Sequence, residues 1–398
     1  MACFNKTDIL LPKNIKDNWA VIACDQFTSD KKYWDEVKEK VGDDKSTYNM
    51  ILPEIFLNDN SKERIEKINN TMQDYLDNGV FDEYKNSMIF VSRKQSDGEV
   101  MDGIIGAVNL DDYDYKKGAK SLVRASEQTV VERIPPRVEI RKDAPIEFPH
   151  ILLLIDDPDF TVIEPISKEK EDCKKLYDIS LMLDGGEVKG YLLDDEKCNS
   201  VIKNLENLIK NNDDKLLFAV GDGNHSLATA KKCAELTDNK NAKQAMVEIV
   251  NIHCPAINFE PIYRVLFNCD VAKTINDFIN DNGGEYTGDD AQYFTVVSSN
   301  GEKKVGIKPT AKLPVGTLQT YLDEYLNSHK EISIDYIHGE NSLKELAKKE
   351  NTVGFLFDGM KKDELFDAIK ADGSLPRKTF SMGHAQDKRY YIEGRKIK

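Results

Sequence analysis

Short apolar runs and amphipathic stretches alternate along most of the chain. Three continuous apolar runs have the length of buried strands: residues 19–24, 151–155 and 216–220. Residues 61–77 carry apolar side chains every three or four positions, which is the period of a helix. Two further apolar runs, 88–92 and 100–110, flank Asp97-Gly98, a pair that predicts a hairpin turn. The alternation predicts a mixed α/β (α+β) fold.

The second half of the chain continues this alternation. A strand at 216–220, a helix at about 226–236 and a strand at 245–252 predict one β-α-β unit. Strands and helices alternate again after residue 270. We therefore expect an N-terminal α/β region over residues 1–270 and a smaller α/β domain over 271–398.

Charge and composition exclude several classes of protein. The 398 residues carry 55 Lys and Arg against 70 Asp and Glu, a net charge of −15, which opposes binding to nucleic acid. No apolar run reaches the ~20 residues of a membrane span, and no signal peptide is visible. Seven scattered cysteines without a C-x-x-C pair are typical of the reducing cytoplasm and do not indicate zinc. We expect a cytoplasmic protein.

The best candidate for a functional site follows the run at 216–220. Gly221 and Gly223 allow a sharp turn and a close approach by another molecule. The helix behind them offers unpaired N–H groups, which suit a phosphate or a carboxylate. Asp222 and His225 at the end of a buried strand have no packing role, which favours function. We expect the helix dipole to keep His225 neutral at pH 7.

Two other interpretations of this turn remain open. It fits an ordinary strand–helix turn in which Asn224 or Ser226 caps the helix. It also has the first two glycines of a dinucleotide fingerprint, but Ser226 stands at the third glycine and no acidic residue clearly ends the next strand. The phosphate-loop pattern is absent, and nothing indicates flavin or NAD.

Residues 222–230, Asp-Gly-Asn-His-Ser-Leu-Ala-Thr-Ala, carry a family resemblance. They resemble the Asp-Gly-His-His-Arg-Tyr-Glu-Thr-Ala hallmark of the domain-of-unknown-function family numbered one thousand and fifteen, found in bacteria and archaea. Residues 124–129 and 262–264 resemble that family's Arg-His-Glu-Lys-Thr and Thr-His-Arg segments. The hallmark is in turn similar to the Asp-Gly-His motif of ParB/sulfiredoxin-like free serine kinases. The resemblance implies a ParB/sulfiredoxin-like N-terminal region that binds nucleotide phosphates at a helix N-terminus.

The chain departs from the hallmark at two positions. Asn224 replaces the first His, and Ser226 replaces an Arg that would grip a phosphate through two hydrogen bonds. Either nucleotide binding is lost, or another residue such as Arg124 or Arg264 supplies the cationic contact. Arg264 matches the family's Arg, and we expect it to bind substrate.

Several other charged groups have both a functional and a structural interpretation. Arg124 and Glu127 lie three residues apart and form either a surface ion pair or a base beside a guanidinium. Because Pro135-Pro136 would break a helix, we expect the arginines at 133, 137 and 141 in an extended, solvated loop, with phosphate binding as the alternative. The acidic residues at 156, 157 and 159 form a turn or ligate Mg²⁺.

The first functional hypothesis is a nucleotide-dependent phosphotransferase acting on a small hydroxy acid or an amino acid such as serine, with Mg²⁺ and ATP or ADP. His225 and Ser226 would contact phosphate together with the backbone at Gly221, Gly223 and Asn224. Asp222 would hold Mg²⁺ or orient the acceptor, and Glu127 would act as base. The alternatives are a non-catalytic nucleotide- or metabolite-binding regulatory protein and a phosphate-ester hydrolase. The metal ligands and the oligomeric state stay open.

Overall fold

The computed structural model describes residues 2–57, 61–210 and 213–398 and divides into two compact units. Unit 1 comprises residues 1–257 and 383–398, and unit 2 comprises residues 258–382. The predicted division at 270/271 differs from these limits at two places. Residues 258–270 belong to unit 2, because a strand within them pairs with strands of that unit, and the last sixteen residues belong to unit 1.

The described residues form ten α-helices: α1 Lys31–Val41, α2 Ser61–Asp77, α3 Ile134–Arg141, α4 Glu164–Lys168, α5 Asp195–Leu208, α6 Asn224–Glu235, α7 Val271–Asp281, α8 Pro314–Ser328, α9 Glu340–Ala347 and α10 Glu364–Asp372. They also form these strands: β1 Phe4–Asn5, β2 Thr7–Pro12, β3 Val21–Ile22, β4 Phe81–Ser87, β5 Ile89–Lys94, β6 Val100–Asn109, β7 Tyr113–Asp114, β8 Val123–Ala125, β9 Ile146–Glu147, β10 Leu152–Ile155, β11 Lys174–Ser180, β12 Glu187–Leu192, β13 Phe218–Asp222, β14 Gln244–Asn251, β15 Phe259–Phe267, β16 Gln292–Ser298, β17 Gly301–Ile307, β18 Ser333–His338, β19 Thr352–Phe357, β20 Phe380–Met382, β21 Tyr390–Tyr391 and β22 Arg395–Lys396. The predicted mixed α/β class is confirmed.

Unit 1 is built on a ten-stranded mixed sheet. Its strand order is β11-β12-β5-β6-β14-β10-β13-β8-β7, with β1 on β6. The predicted hairpin is confirmed by the antiparallel pair β5–β6. Both faces are covered: Ile89 and Val91 pack into one apolar core, and Phe90 between them packs into another. This two-sided burial explains why the strand sequences show continuous apolar runs.

The predicted β-α-β unit at 216–252 is wrong in its topology. Strand β10 lies between β13 and β14, antiparallel to the first and parallel to the second. The two strands that flank α6 therefore run in opposite directions and are not neighbours. An apolar run indicates burial and length but carries no information on pairing direction, which is why the sequence pattern could not reveal the inserted strand.

The last residues of the chain are part of unit 1. Strand β21 pairs with β3, and β22 pairs with β9. Directly before β21, Arg389 joins a buried ionic network in which Arg389 and Arg93 both contact the carboxylate of Glu248. Burial alone would raise the pKa of Glu248, but these two arginines outweigh it and hold the pKa below its ordinary value. The segment 383–398 is therefore fixed in the sheet core.

Unit 2 has a six-stranded sheet of its own. Its order is β17-β16-β19-β15-β18, and β20 pairs with the beginning of β15. The alternation of strands and helices predicted after residue 270 is present in it. Within the described ranges, every helix of the chain is too short or too polar to cross a lipid bilayer.

Candidate anion site at the β13–α6 turn

Strand β13 ends in the turn that the sequence singles out, and both glycines are required there. A Cβ at Gly221 would lie 2.9 Å from Cγ of Leu154 on the neighbouring strand. Gly223 has a φ of +81°, in the left-handed region that side chains with a Cβ rarely adopt. Its amide donates a 2.8 Å hydrogen bond to Oδ1 of Asp222, which fixes the turn.

Helix α6 begins at Asn224, two residues earlier than predicted. Its cap is Gly223, and no side chain makes a capping hydrogen bond, so the prediction of Asn224 or Ser226 as N-cap is wrong. The first intrahelical bond runs from the amide of Leu227 to the carbonyl of Gly223. The N–H groups of residues 224–226 consequently have no acceptor within the helix.

His225 lies in the first turn of α6 and is neutral at pH 7. Burial is the main reason that its pKa falls to about 4, and the positive charges of Arg137 and Arg133 lower it further. The predicted neutral state agrees with this pKa, although burial and arginines, rather than the helix dipole, are its causes. The ring Nε2 accepts a 3.3 Å hydrogen bond from the amide of Val130, so the ring proton belongs on Nδ1.

Residues 134–141 form helix α3, which contains Arg137 and begins directly after Arg133, and the charges of both arginines act on His225. The prediction that Pro135-Pro136 prevents a helix is wrong, since both prolines lie in the first turn of α3, where missing N–H groups would have had no helical acceptor. Helix α3 packs on α6 through Ile134 and Val138. The sequence shows the four-residue spacing of the arginines but not the helix that carries them.

A lysine near the end of the chain also lies at the turn. The ammonium of Lys388 is 3.7 Å from Oδ2 of Asp222, and both side chains are largely buried. Neither the spacing of the motif nor the charge pattern indicates this residue, because 165 positions separate it from Gly223. Only the return of segment 383–398 to unit 1 places it there.

A second acidic group, Asp25, follows strand β3. Its negative charge acts on His225, raising the pKa of that ring slightly against the two arginines. Nε2 of the buried His150 is 3.7 Å from Oδ1 of Asp25, and Nδ1 of the same ring is 3.1 Å from the hydroxyl of Tyr391. That hydroxyl oxygen also accepts the amide of Cys24.

The segment that carries Glu127 passes alongside the turn. Strand β8 runs parallel to β13, and the hydroxyl of Ser126 donates to the carbonyl of Val220. Val130, four residues later, contacts His225. Glu127 lies between these two contacts along the chain. Its role as a base stays a prediction.

Arg124 is committed to partners at the other end of β13. Its guanidinium donates to the carbonyls of Ser121 and Asp214 and forms an ion pair with the Asp214 carboxylate. Both partners precede the parallel strands β8 and β13, whereas the turn follows β13. These contacts favour a structural role for Arg124 over the predicted phosphate contact.

Arg264 is fully buried inside unit 2. Its Nε donates to Oε1 of Gln319, and its other nitrogens donate to the carbonyls of Ile262, Arg377 and Lys378. Its guanidinium also lies 5.0 Å from the ring centre of Tyr336. These contacts favour a structural role for Arg264 as well.

The acidic residues at 156–159 follow β10, which runs antiparallel to β13, so they lie at the opposite end of these strands from the turn. Oδ2 of Asp157 accepts the amides of Thr161 and Val162, which is the turn interpretation of this segment. Asp156 is 2.8 Å from the ring of His253. Within the described ranges, no three His, Cys, Asp or Glu side chains come together in a way that could hold a metal ion.

The sequence profile of one family covers nearly the whole chain. The family is described as "Protein of unknown function (DUF1015)", and residues 7–395 match it. The chain belongs to this family. No curated protein matches the sequence closely enough to count as a relative.

Solved structures resemble this DUF1015 chain only distantly. A conserved hypothetical protein from Pyrococcus furiosus has 16% identity and a TM-score of 0.39, and the match covers 73% of this chain and 94% of that one. A free serine kinase in complex with AMP has 14% identity and a TM-score of 0.41, with 72% and 90% covered. SbnI with a C-terminal truncation from Staphylococcus aureus has 10% identity and a TM-score of 0.37, with 70% and 82% covered. Likeness at this level assigns no function to the turn.

Proposed function

We propose that unit 1 binds the phosphate of a nucleotide at the start of α6 and transfers a phosphoryl group to a small hydroxy acid or an amino acid such as serine. The observation that carries this proposal is a set of backbone donors that the helix does not use, with two arginine charges nearby. Three N–H groups without helical acceptors lie beside His225, whose pKa reports the nearby charges of Arg133 and Arg137.

Each residue of the turn has a role in this proposal. The backbone at Gly221 and Gly223 lets the phosphate approach the helix, and the amides of Asn224, His225 and Ser226 hydrogen-bond to it. The neutral ring of His225 donates from Nδ1 to the phosphate or to the acceptor hydroxyl. Phosphoryl transfer depends chiefly on such positioning and charge stabilisation.

Acceptor activation requires a group that takes the hydroxyl proton. Asp222 orients the acceptor, and Glu127 or Asp25 accepts the proton. Asp25 enters this proposal because its charge acts on His225. Arg124 and Arg264 are left out of the reaction because their guanidinium groups are bound to carbonyl oxygens elsewhere.

Magnesium commonly accompanies nucleotide phosphates and would neutralise their charge. Among the described residues, no three His, Cys, Asp or Glu side chains come together at the turn, and Asp222 already has the ammonium of Lys388 beside it. This donor set does not make a metal site, so we assign no step to the ion. The experiment below includes both conditions.

A non-catalytic nucleotide-binding protein is the second candidate. The observation that favours it is Ser226, which puts a neutral side chain in the first turn of α6, where the family hallmark has arginine. A site without that charge retains the amides that hold a phosphate but stabilises a transferring phosphoryl group less.

The test is a thermal-shift titration with AMP, ADP and ATP, each with and without Mg²⁺. A nucleotide at 100 times its Kd stabilises the fold by ~2.7 kcal/mol. Transfer is then followed by ³¹P NMR in the presence of L-serine and of small hydroxy acids. Stabilisation with transfer supports the phosphotransferase, and stabilisation without it supports the binding protein. Release of inorganic phosphate alone would indicate a hydrolase, and no stabilisation by any nucleotide would contradict the proposal.

A further inference from the structure

We propose that Lys388 is the residue that neutralises a bound phosphate beside α6, supplied by the C-terminal segment because position 226 carries no charge. This inference rests on the proposed function, since it names a further contact in the same site. It is independent of Arg133 and Arg137, whose charges act on His225.

The carboxylate of Asp222 links Lys388 to the turn. Its Oδ1 accepts the amide of Gly223, and its Oδ2 is 3.7 Å from the ammonium of Lys388. A single carboxylate therefore connects the ammonium to the backbone that leads into α6. A separation of 3.7 Å is longer than a direct hydrogen bond, so the attraction between the two side chains is electrostatic. The lysine side chain can therefore move toward a ligand without breaking a hydrogen bond to Asp222.

The residues on both sides of Lys388 are anchored in the core of unit 1. Asp387 accepts the amide of Ser96, and Arg389 contacts Glu248 and the carbonyl of Pro149. Tyr390 follows and pairs with Ile22. Although Lys388 lies in the last eleven residues of the chain, its backbone has a fixed position, and its side chain is only 14% exposed.

The balance of charges at the start of α6 explains why a bound phosphate would need Lys388. Asp222 places a negative charge beside the start of α6, and this charge repels a phosphate unless a cation offsets it. Arg137 is paired with Glu54, so its charge is partly compensated. Ser226 contributes none. An ammonium on a flexible stem can neutralise Asp222 in the empty site and contact the phosphate when one is bound.

The test is calorimetric titration of the full chain with ADP and with inorganic pyrophosphate. We expect Lys388→Met to weaken both by tenfold or more and to lower the salt dependence of binding, whereas Lys388→Arg stays within about threefold. The matched control is Lys396→Met in the same segment, whose lysine is 42% exposed and pairs with Glu83. It should bind like the wild type.

The Asp222→Asn variant distinguishes a direct contact between Lys388 and the phosphate from a purely structural role of Lys388. If Lys388 contacts the phosphate, Asp222→Asn removes only the negative charge beside it and weakens binding of ADP and pyrophosphate less than Lys388→Met does. If Lys388 only holds the turn in place through Asp222, both substitutions weaken binding alike, which would overturn the inference. It is also overturned if Lys388→Met binds like the wild type. Should Lys388→Met fail to fold, Lys388→Gln takes its place, with thermal unfolding as the check.

Failure of the proposed function gives a different result. In that case the wild type itself binds neither ADP nor pyrophosphate, and the inference fails with it. Wild-type binding combined with an unaffected Lys388→Met protein contradicts only the role of the lysine.

Discussion

The two ends of strand β13 carry similar polar residues in different states. At the amino end, Arg124 is surrounded by carbonyl oxygens and by the carboxylate of Asp214, to which Lys120 adds a second cation. At the carboxyl end, the first amides of α6 have no helical acceptor, and the pKa of His225 is lowered by burial and nearby arginines. Folding satisfies the charges of the first end and leaves donors at the second.

This difference separates structural polar residues from candidate functional ones. A buried arginine whose hydrogen bonds are all made within the protein stabilises the fold, and its loss leaves its partners unpaired. A set of donors that the fold does not use can bind a ligand instead. By this criterion, Arg124 and Arg264 belong to the framework and the start of α6 to the site.

The largest expected effect is on stability at the amino end. Arg124→Met should lower the free energy of unfolding by about 3 kcal/mol, because it removes the buried guanidinium that two carbonyls and the carboxylate of Asp214 contact. Urea denaturation measures this loss. Lys120→Met is the control, since that lysine is 67% exposed on the same carboxylate and should cost at most about 0.5 kcal/mol. A weaker nucleotide affinity in the folded Arg124→Met protein would contradict the structural role.

His225→Ala should show the reverse pattern at the carboxyl end. We expect nucleotide affinity to fall at least tenfold, which is ~1.4 kcal/mol, while the free energy of unfolding falls by less than about 1 kcal/mol. Calorimetric titration beside urea denaturation separates the two quantities. His253→Ala is the matched control at the opposite end of the strands, where His253 pairs with Asp156. A large loss of stability with unchanged affinity would make His225 a structural residue.

Gly223→Ala should cost about 1–2 kcal/mol of unfolding free energy because a Cβ is disfavoured at a φ of +81°. We also expect weaker nucleotide binding, since the strain falls on the backbone that leads into α6. Gly98→Ala in the β5–β6 turn has a φ of +91° in open space and provides the same backbone cost. If both variants bind nucleotide equally well, the turn does not contact the ligand.

The smallest effect is a pH dependence. Because the pKa of His225 is about 4 in the fold against an ordinary 6.5, the unfolded chain binds a proton more readily between these values. The stability that neutral His225 provides is complete above pH 6.5 and is lost as the pH falls toward 4. We expect His225→Gln to lose less stability than the wild type between pH 7 and pH 4.5, by up to about 1 kcal/mol given its partial exposure. Equal losses would place the ring in solvent.

The sequence by itself determined much of the local structure and pointed to one candidate site. Apolar runs and helical periods located most strands and helices because burial and period are properties of neighbouring residues. The hallmark at 222–230 also identified the family and the turn. The sharp turn at Gly221 and Gly223 could be predicted because glycine allows backbone conformations that residues with a Cβ rarely adopt.

The tertiary structure decided which charges meet. No local pattern reports that β10 separates β13 from β14, that α3 carries its arginines to His225, or that Lys388 returns from the end of the chain to Asp222. The tertiary structure also decided that Arg124 and Arg264 donate hydrogen bonds to backbone carbonyl oxygens. An arginine in a sequence has the same charge whether the fold pairs it or leaves it available, and only contacts between distant residues distinguish the two states.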